Sequence, residues 1–172
     1  MTTSYVEVHN TSLFETEAPI LIHGCNCFHT MGSGIAKTIR SIYPSVFQAD
    51  LQTIKGHRAK LGAFSYYKVS DSLTVVNLYS QYTWWNKNDM FYNAAFEKGL
   101  TAIILAFPEA NDFAMPAIGL GLANGVPYEV FSIIHKVAST HKRTIHLHLI
   151  TDQLQKSYAN YLKFEAPNDP AN

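Results

Sequence analysis

Apolar residues along this chain switch between two periods, and the switches divide it into alternating strands and helices. Residues 4–8 carry β-formers, and Ile20, Leu21 and Ile22 form the continuous apolar run that a strand buried on both faces requires. From Gly34 the spacing becomes helical, with Ile35, Ile39 and Ile42 on one stripe and Pro44 closing the segment. Phe47, Leu51 and Ile54 make a second short helical stripe that ends at Gly56. Residues 64–69 and 73–79 read as two strands joined by a Ser-Asp-Ser turn. Phe96, Leu100, Ile103 and Phe107 mark a longer helix, and residues 113–118 a strand that ends or bends at Pro116. Val130, Ile133, Ile134 and Val137 belong to a helix that starts at Pro127 and runs to about Thr140. Residues 145–150 form a strand with one apolar face, and Asp152 is placed to cap a last helix carrying Leu154, Tyr158 and Leu162. Strands alternating with helices in this order specify a three-layer α/β domain.

The 172 residues, 47% of them hydrophobic, support one domain with a real core, expected over residues 1–165. Residues 166–172, Ala-Pro-Asn-Asp-Pro-Ala-Asn, have no apolar periodicity and are expected to be a disordered end. Thirteen Lys and Arg balance thirteen Asp and Glu, so no global basic field draws the chain to nucleic acid. No apolar run approaches the roughly 20 residues that span a bilayer, and the N-terminus lacks the pattern of a secretory signal. The expectation is a cytoplasmic monomer acting on a small molecule, with neither membrane nor nucleic acid as partner. Cys25 and Cys27 are the chain's two cysteines, and in the expected cytoplasmic setting they are expected to stay reduced.

The densest chemical signal runs from His23 to Ala36. There a buried strand ends, a loop crosses Gly32 and Gly34, and a helix starts. Such a junction presents unpaired backbone N–H groups and the positive end of a helix dipole, which holds phosphate without basic side chains. A turn that merely reverses the chain has the same spacing. The glycines fit neither a Walker loop nor the dinucleotide fingerprint, which sets ATPase and dehydrogenase chemistry aside. A second glycine-rich loop, Ile118-Gly119-Leu120-Gly121-Leu122-Ala123-Asn124-Gly125, again joins a strand to a helix. Two such loops at strand ends of one sheet suit a diphosphate, although Asn124-Gly125 is also a common tight turn.

The string from Ile20 to Ala36, with its Asn-Cys-x-x-x-Met-Gly-x-Gly-Ile-Ala core, and the run Met115-Pro116-Ala117-Ile118-Gly119-Leu120-Gly121-Leu122-Ala123-Asn124-Gly125 together resemble a macro domain over residues 4–150. Within that superfamily the chain is similar to stand-alone bacterial and phage members and to the yeast-type ADP-ribose-1''-phosphate phosphatases. The resemblance implies a mixed sheet between helices with ADP-ribose in a cleft at the strand ends, and no cofactor. It places Asn10 at the adenine, and Gly24, Cys25, Met31, Gly32, Ser33, Gly34, Ile35 and Ala36 along the first phosphate loop. Ser80 and Gln81 would offer hydrogen bonds, and Ile118, Gly119, Gly121, Leu122, Ala123, Asn124 and Gly125 would close over the diphosphate and distal ribose.

For chemistry, the resemblance puts His23, Asn26 and Asp89 near the distal ribose, where they would orient water and assist a leaving phosphate. Gln81 and Ala123 stand where the family's glutamate-specific glycohydrolases carry a lysine and an aspartate, which points away from that reaction. The implied activity is hydrolysis of ADP-ribose-1''-phosphate to ADP-ribose and phosphate. Deacetylation of O-acetyl-ADP-ribose and a non-catalytic ADP-ribose reader are the alternatives. Blander roles remain open for the same residues: a buried structural histidine at His23, and a helix cap near Met90 for Asp89. His29 reads as a solvent-exposed loop residue. Tyr79, Tyr82, Trp84, Trp85, Phe91 and Tyr92 suit either a nucleotide wall or a local aromatic core. His146 and His148, taken with Cys25 and Cys27, lack metal spacing, so no metal site is expected. His57, Arg58 and Lys60 read as a solvated surface turn.

Overall fold

In the computed structural model, which describes residues 3–165, six strands form one sheet in the order β1-β6-β5-β2-β4-β3. They are β1 (Val6–His9), β2 (Ile20–Cys25), β3 (Phe64–Ser70), β4 (Leu73–Tyr79), β5 (Asp112–Pro116) and β6 (Thr144–His148). All neighbours are parallel except β3, which folds back on β4 as an antiparallel edge. Parallel neighbours need long crossovers. Helices α1 (Gly34–Ile42), α2 (Pro44–Leu51), α3 (Asn93–Ala106), α4 (Pro127–His141) and α5 (Asp152–Glu165) lie in the connections and at the C-terminal side.

Strand alternation builds the layers. On one face Ile20, Ile22, Val76, Leu78, Phe113, Met115, Ile145 and Leu147 enter a core with residues of α3 and α4. On the other, Leu21, Cys25, Val75, Tyr79 and Ala114 pack with Ile39 of α1 and Val46 of α2. Fully burying each such aliphatic side chain is worth about 1.5–3 kcal/mol, so the two cores hold the sheet between its helices. The result is the expected α/β/α sandwich with a mixed sheet. The second core stops short of β1 and β6, whose residues on that face are Glu7, His9, His146 and His148, in register with one another and with Ala114.

Several element ends differ from the periodicity. Pro44 closes α1 but also opens α2, because the first helical turn needs no N–H from it. The helix then ends at Leu51, so Ile54 is 70% exposed and Val46 and Asp50 face inward instead. Helix α3 starts at Asn93, beyond the position at which Asp89 would cap it. The last helix is capped by Thr151, whose hydroxyl accepts from the Leu154 N–H at 3.2 Å, and it buries Tyr161 rather than Leu162. Strands β5 and β6 end at Pro116 and His148, which releases Ile118 and Ile150 from the sheet. Residues 166–172 lie outside the described residues, and within those no helix is long and apolar enough to cross a membrane.

Candidate ligand-binding cleft

A cavity of about 690 Å³ opens where the parallel strands β2, β5 and β6 end together, a size typical of small-molecule sites. One wall is the loop from Asn26 into α1. Asn26 shapes it: its side-chain oxygen accepts from the Phe28 N–H at 2.8 Å, and its amide donates to the Thr30 hydroxyl at 2.6 Å. Arg40 donates to the Thr30 carbonyl at 3.1 Å from outside. His29, Met31 and Gly34 all hold left-handed backbone, with φ of 59°, 39° and 56°. For His29 and Met31 that geometry is costly, and the buried Met31 side chain, 3% exposed, helps to enforce it. The Ser33 side chain makes no cap bond, and the first intrahelical bond of α1 runs from the Lys37 N–H to the Ser33 carbonyl at 3.2 Å. The N–H groups of Gly34, Ile35 and Ala36, all on cavity-lining residues, therefore lack intrahelical acceptors.

The opposite wall is the loop after β5. Gly119 adopts φ +86°, and a Cβ there would lie 2.6 Å from the Phe91 ring, so a side chain fits neither the backbone nor the space. Asn124, at φ 73°, and Gly125, whose N–H donates to the Gly119 carbonyl at 2.7 Å, form the turn that closes this loop. Neither lines the cavity, so the tight-turn role is the one the structure gives them. Among the described residues lining the cavity there is no lysine or arginine. An anion held here would be met by backbone N–H groups and the α1 dipole.

At the floor of the cavity, where His23 and Asp50 line it, lies a buried polar cluster. His23, 1% exposed, hydrogen-bonds Asn77 at 2.6 Å, and burial holds its pKa down at about 4. Asn77 in turn donates to the Val46 carbonyl and the Ser65 hydroxyl, both at 3.0 Å. Asp50 accepts from Tyr79 at 2.7 Å, and the Lys60 ammonium sits 3.9 Å from Asp50 and 4.4 Å from the centre of the Tyr79 ring. Lys60 is thus 7% exposed rather than part of a solvated turn, and burial lowers its pKa. Cys25 and Cys27 are buried free thiols, both raised in pKa by burial.

The far end of the cavity is bounded by Ser12, Leu13, Phe14, His148, Ile150, Thr151 and Leu154. His148 is 6% exposed, and its Nδ1 donates to the Thr11 carbonyl at 3.0 Å. Its Nε2 is buried without a partner among the described residues. Burial lowers the pKa of this imidazole, so the neutral ring presents a bare lone pair at Nε2. Spacing alone does not mark His148 as a ligand contact; its place at the carboxyl end of a parallel strand is the available signal.

His23, Gly24, Cys25, Asn26, the whole run from Met31 to Ala36, Ser80, Gln81, Ile118, Gly119, Gly121, Leu122 and Ala123 line this one cavity. Asn10 is exposed at the bend after β1 and does not. Asp89 is also outside it: one carboxylate oxygen accepts from Arg58 and the other from the Tyr92 hydroxyl, and these bonds lower its pKa. The aromatic residues divide as well. Trp84 lines the cavity, Tyr82 and Trp85 pack edge-on against Phe28 at 5.1 and 4.7 Å, and Tyr79 belongs to the buried cluster. His29 is tied by its Nε2 to the Thr53 hydroxyl at 3.0 Å and is half-buried.

Comparison with solved structures places this sheet and its helices in a known class. The chain superposes on the macrodomain of Mycobacterium tuberculosis DarG with a TM-score of 0.74 at 18% identity, covering 85% of this chain and 98% of that one. It superposes on Thermosipho africanus DarTG, solved in complex with ADP-ribose, with a TM-score of 0.73 at 18% identity, over 86% of this chain and 42% of that one. A macrodomain protein from Streptomyces coelicolor gives 0.61 at 18% identity, over 85% and 97%. The fold is that of a macro domain. No family model matches the chain. In sequence it is 33% identical over 139 residues to the 17.5 kDa protein of the tk-vs intergenic region of Enterobacteria phage T4, spanning 73% of this chain and 83% of the phage protein, and it belongs to that protein's family.

Proposed function

We propose that this domain binds ADP-ribose or a derivative of it in the cleft. The observation that carries the reading is the pairing of two backbone walls: the uncapped start of α1 faces the 118–123 loop across a cavity with no cationic side chain. A diphosphate fits between them. The adenine then occupies the end bounded by Ser12, Leu13, Phe14 and Ile150, where His148 Nε2 accepts from its 6-amino group, the acceptor role that the resemblance gives to Asn10, which does not line the cavity. The distal ribose falls beside Asn26, Ser80 and Gln81. The DarTG structure with ADP-ribose supports a ligand of this class in this fold.

Hydrolysis of ADP-ribose-1''-phosphate is a second reading, favoured by Asn26, which follows β2 and lines the cavity. His23, neutral and hydrogen-bonded, and Asp89, engaged by Arg58 and Tyr92, are poor candidates for its acid and base. In this reading Asn26 and the loop N–H groups hold the phosphoryl oxygens and orient water. Calorimetric titration with ADP-ribose tests the first reading: saturable binding is expected, and a flat titration refutes it. Phosphate release from ADP-ribose-1''-phosphate tests the second. Release lost in Asn26→Ala and kept in Asp89→Ala is expected, whereas release that depends on Asp89 would restore it to the catalytic machinery.

A further inference from the structure

A different constellation lies on the part of the sheet face that α1 and α2 leave bare. Glu7 and His9 are two residues apart on β1, and the parallel register sets Glu7 beside His146 and His9 beside His148. Ligand atoms of Glu7, His9 and His146 all lie within 4.8 Å of one another. His9 Nε2 is 2.9 Å from His146 Nδ1, and that same Nδ1 is 3.5 Å from a carboxylate oxygen of Glu7. The other nitrogen of the ring, His146 Nε2, is 2.7 Å from the Asp112 carboxylate on β5.

Proton placement makes this arrangement informative. A carboxylate accepts and does not donate, so His146 Nε2 carries a hydrogen toward Asp112, and in that tautomer Nδ1 presents a lone pair. That lone pair faces the Glu7 carboxylate, a second acceptor, and His9 Nε2. A single hydrogen on His9 satisfies His146 and leaves Glu7, whose side chain is otherwise open to solvent, facing a lone pair. A cation at the centre satisfies all three. Asp112 meanwhile fixes the tautomer and orientation of His146, as a carboxylate does behind a metal-bound histidine. The His9 ring is braced by stacking between His146 and His148, with centroids 5.1 and 5.0 Å away.

We propose that Glu7, His9 and His146 bind a divalent transition cation of the zinc type, with Asp112 as the positioning carboxylate and solvent completing the coordination. Two imidazole nitrogens and one carboxylate oxygen suit zinc and do not suit magnesium, which takes oxygen ligands. Bonds of about 2.0–2.1 Å at a tetrahedral angle need roughly 3.3 Å between the two nitrogens, so the rings part by a few tenths of an ångström on binding. The ion would join the edge strand β1 to β6. None of its ligands lines the nucleotide cleft, although His9 stacks on His148, which does.

The competing occupant is a proton, a His146 imidazolium held between Glu7 and Asp112. Chelator-treated protein titrated with zinc chloride by calorimetry separates the two, with thermal unfolding recorded in zinc and in magnesium. One saturable zinc equivalent is expected, with an unfolding midpoint that climbs with zinc and ignores magnesium. Asp112→Asn should weaken zinc binding about 10- to 100-fold. Glu7→Gln and His9→Ala, chosen among variants whose metal-free midpoints match the parent, should weaken it at least as much. No saturable zinc binding, or equal affinity in the parent and in His9→Ala, would overturn the proposal.

Discussion

Replacing His148 by phenylalanine keeps a ring stacked on His9 and removes the lone pair that the proposed pose sets against the adenine amino group. His148 is 6% exposed, so water does not take over the vacated position. Thr11, which loses its N–H donor, is exposed and recovers one from solvent, so the cost falls on the ligand. A buried amino group left without an acceptor costs about 1–3 kcal/mol, and with about 1.4 kcal/mol per factor of ten the Kd for ADP-ribose should rise roughly 5- to 150-fold. The assay is a calorimetric cycle with two ligands, ADP-ribose and its inosine counterpart, in which a carbonyl replaces the amino group. The parent should prefer the adenine ligand by about tenfold or more, because the carbonyl would face a lone pair, and the variant should bind the two alike. Protonation of His148 turns Nε2 from acceptor to donor. Its pKa is lowered from 6.5, so parental affinity for ADP-ribose should be flat above pH 6.5 and fall as pH drops through that lowered value. Affinity for the inosine ligand should rise over the same interval. Equal discrimination by parent and variant, or parallel pH responses of the two ligands, would refute the assignment.

Other consequences follow from the buried polar groups and the loops. His23 is neutral in the folded state with a pKa of about 4 against 6.5 unfolded, so unfolding takes up a proton between those values. Stability from this group is therefore intact above pH 6.5 and is lost as pH falls toward 4, by an amount approaching about 3 kcal/mol. Urea unfolding at several pH values should show a shallower acid loss in His23→Leu than in the parent; identical slopes would contradict it. Lys60→Met leaves the 1%-exposed Asp50 without its neighbouring cation and should cost about 3 kcal/mol in a denaturant titration, where an unchanged midpoint would argue against the buried pair. Gly119→Val forces a branched side chain into left-handed backbone and against Phe91, so it should cost about 1–3 kcal/mol and weaken ADP-ribose binding at least about tenfold; undiminished calorimetric affinity would clear the loop of a role.

Much of this architecture is legible in the chain because its signals are local. The continuous apolar run at Ile20, Leu21 and Ile22 and the helical stripe after Gly34 identify β2 and α1 directly, and a parallel sheet then brings the loops after β2 and β5 to one edge. What escapes the sequence is which polar groups meet. Lys60 stands in a short basic run, and the turn it occupies aims it inward under Tyr79, a result of packing that no spacing encodes. Asp89 reads as a cap near Met90, yet α3 begins three residues later and Arg58, from a distant turn, takes the carboxylate. His9 and His146 are 137 residues apart, and they meet because β1 pairs with β6, a choice of neighbour that strand patterns leave open. Asn10 and His148 show the same limit: Asn10, which the resemblance sets at the adenine, does not line the cavity, whereas His148, from another strand, does.

The most direct test of the central claim is a crystal structure of this protein grown with ADP-ribose. The account predicts the diphosphate between residues 32–36 and residues 118–123, bound by backbone N–H groups, with the adenine amino group on His148 Nε2 and the distal ribose beside Asn26. A ligand held by surface lysines and arginines, or a cleft left empty at saturating ADP-ribose, would contradict it.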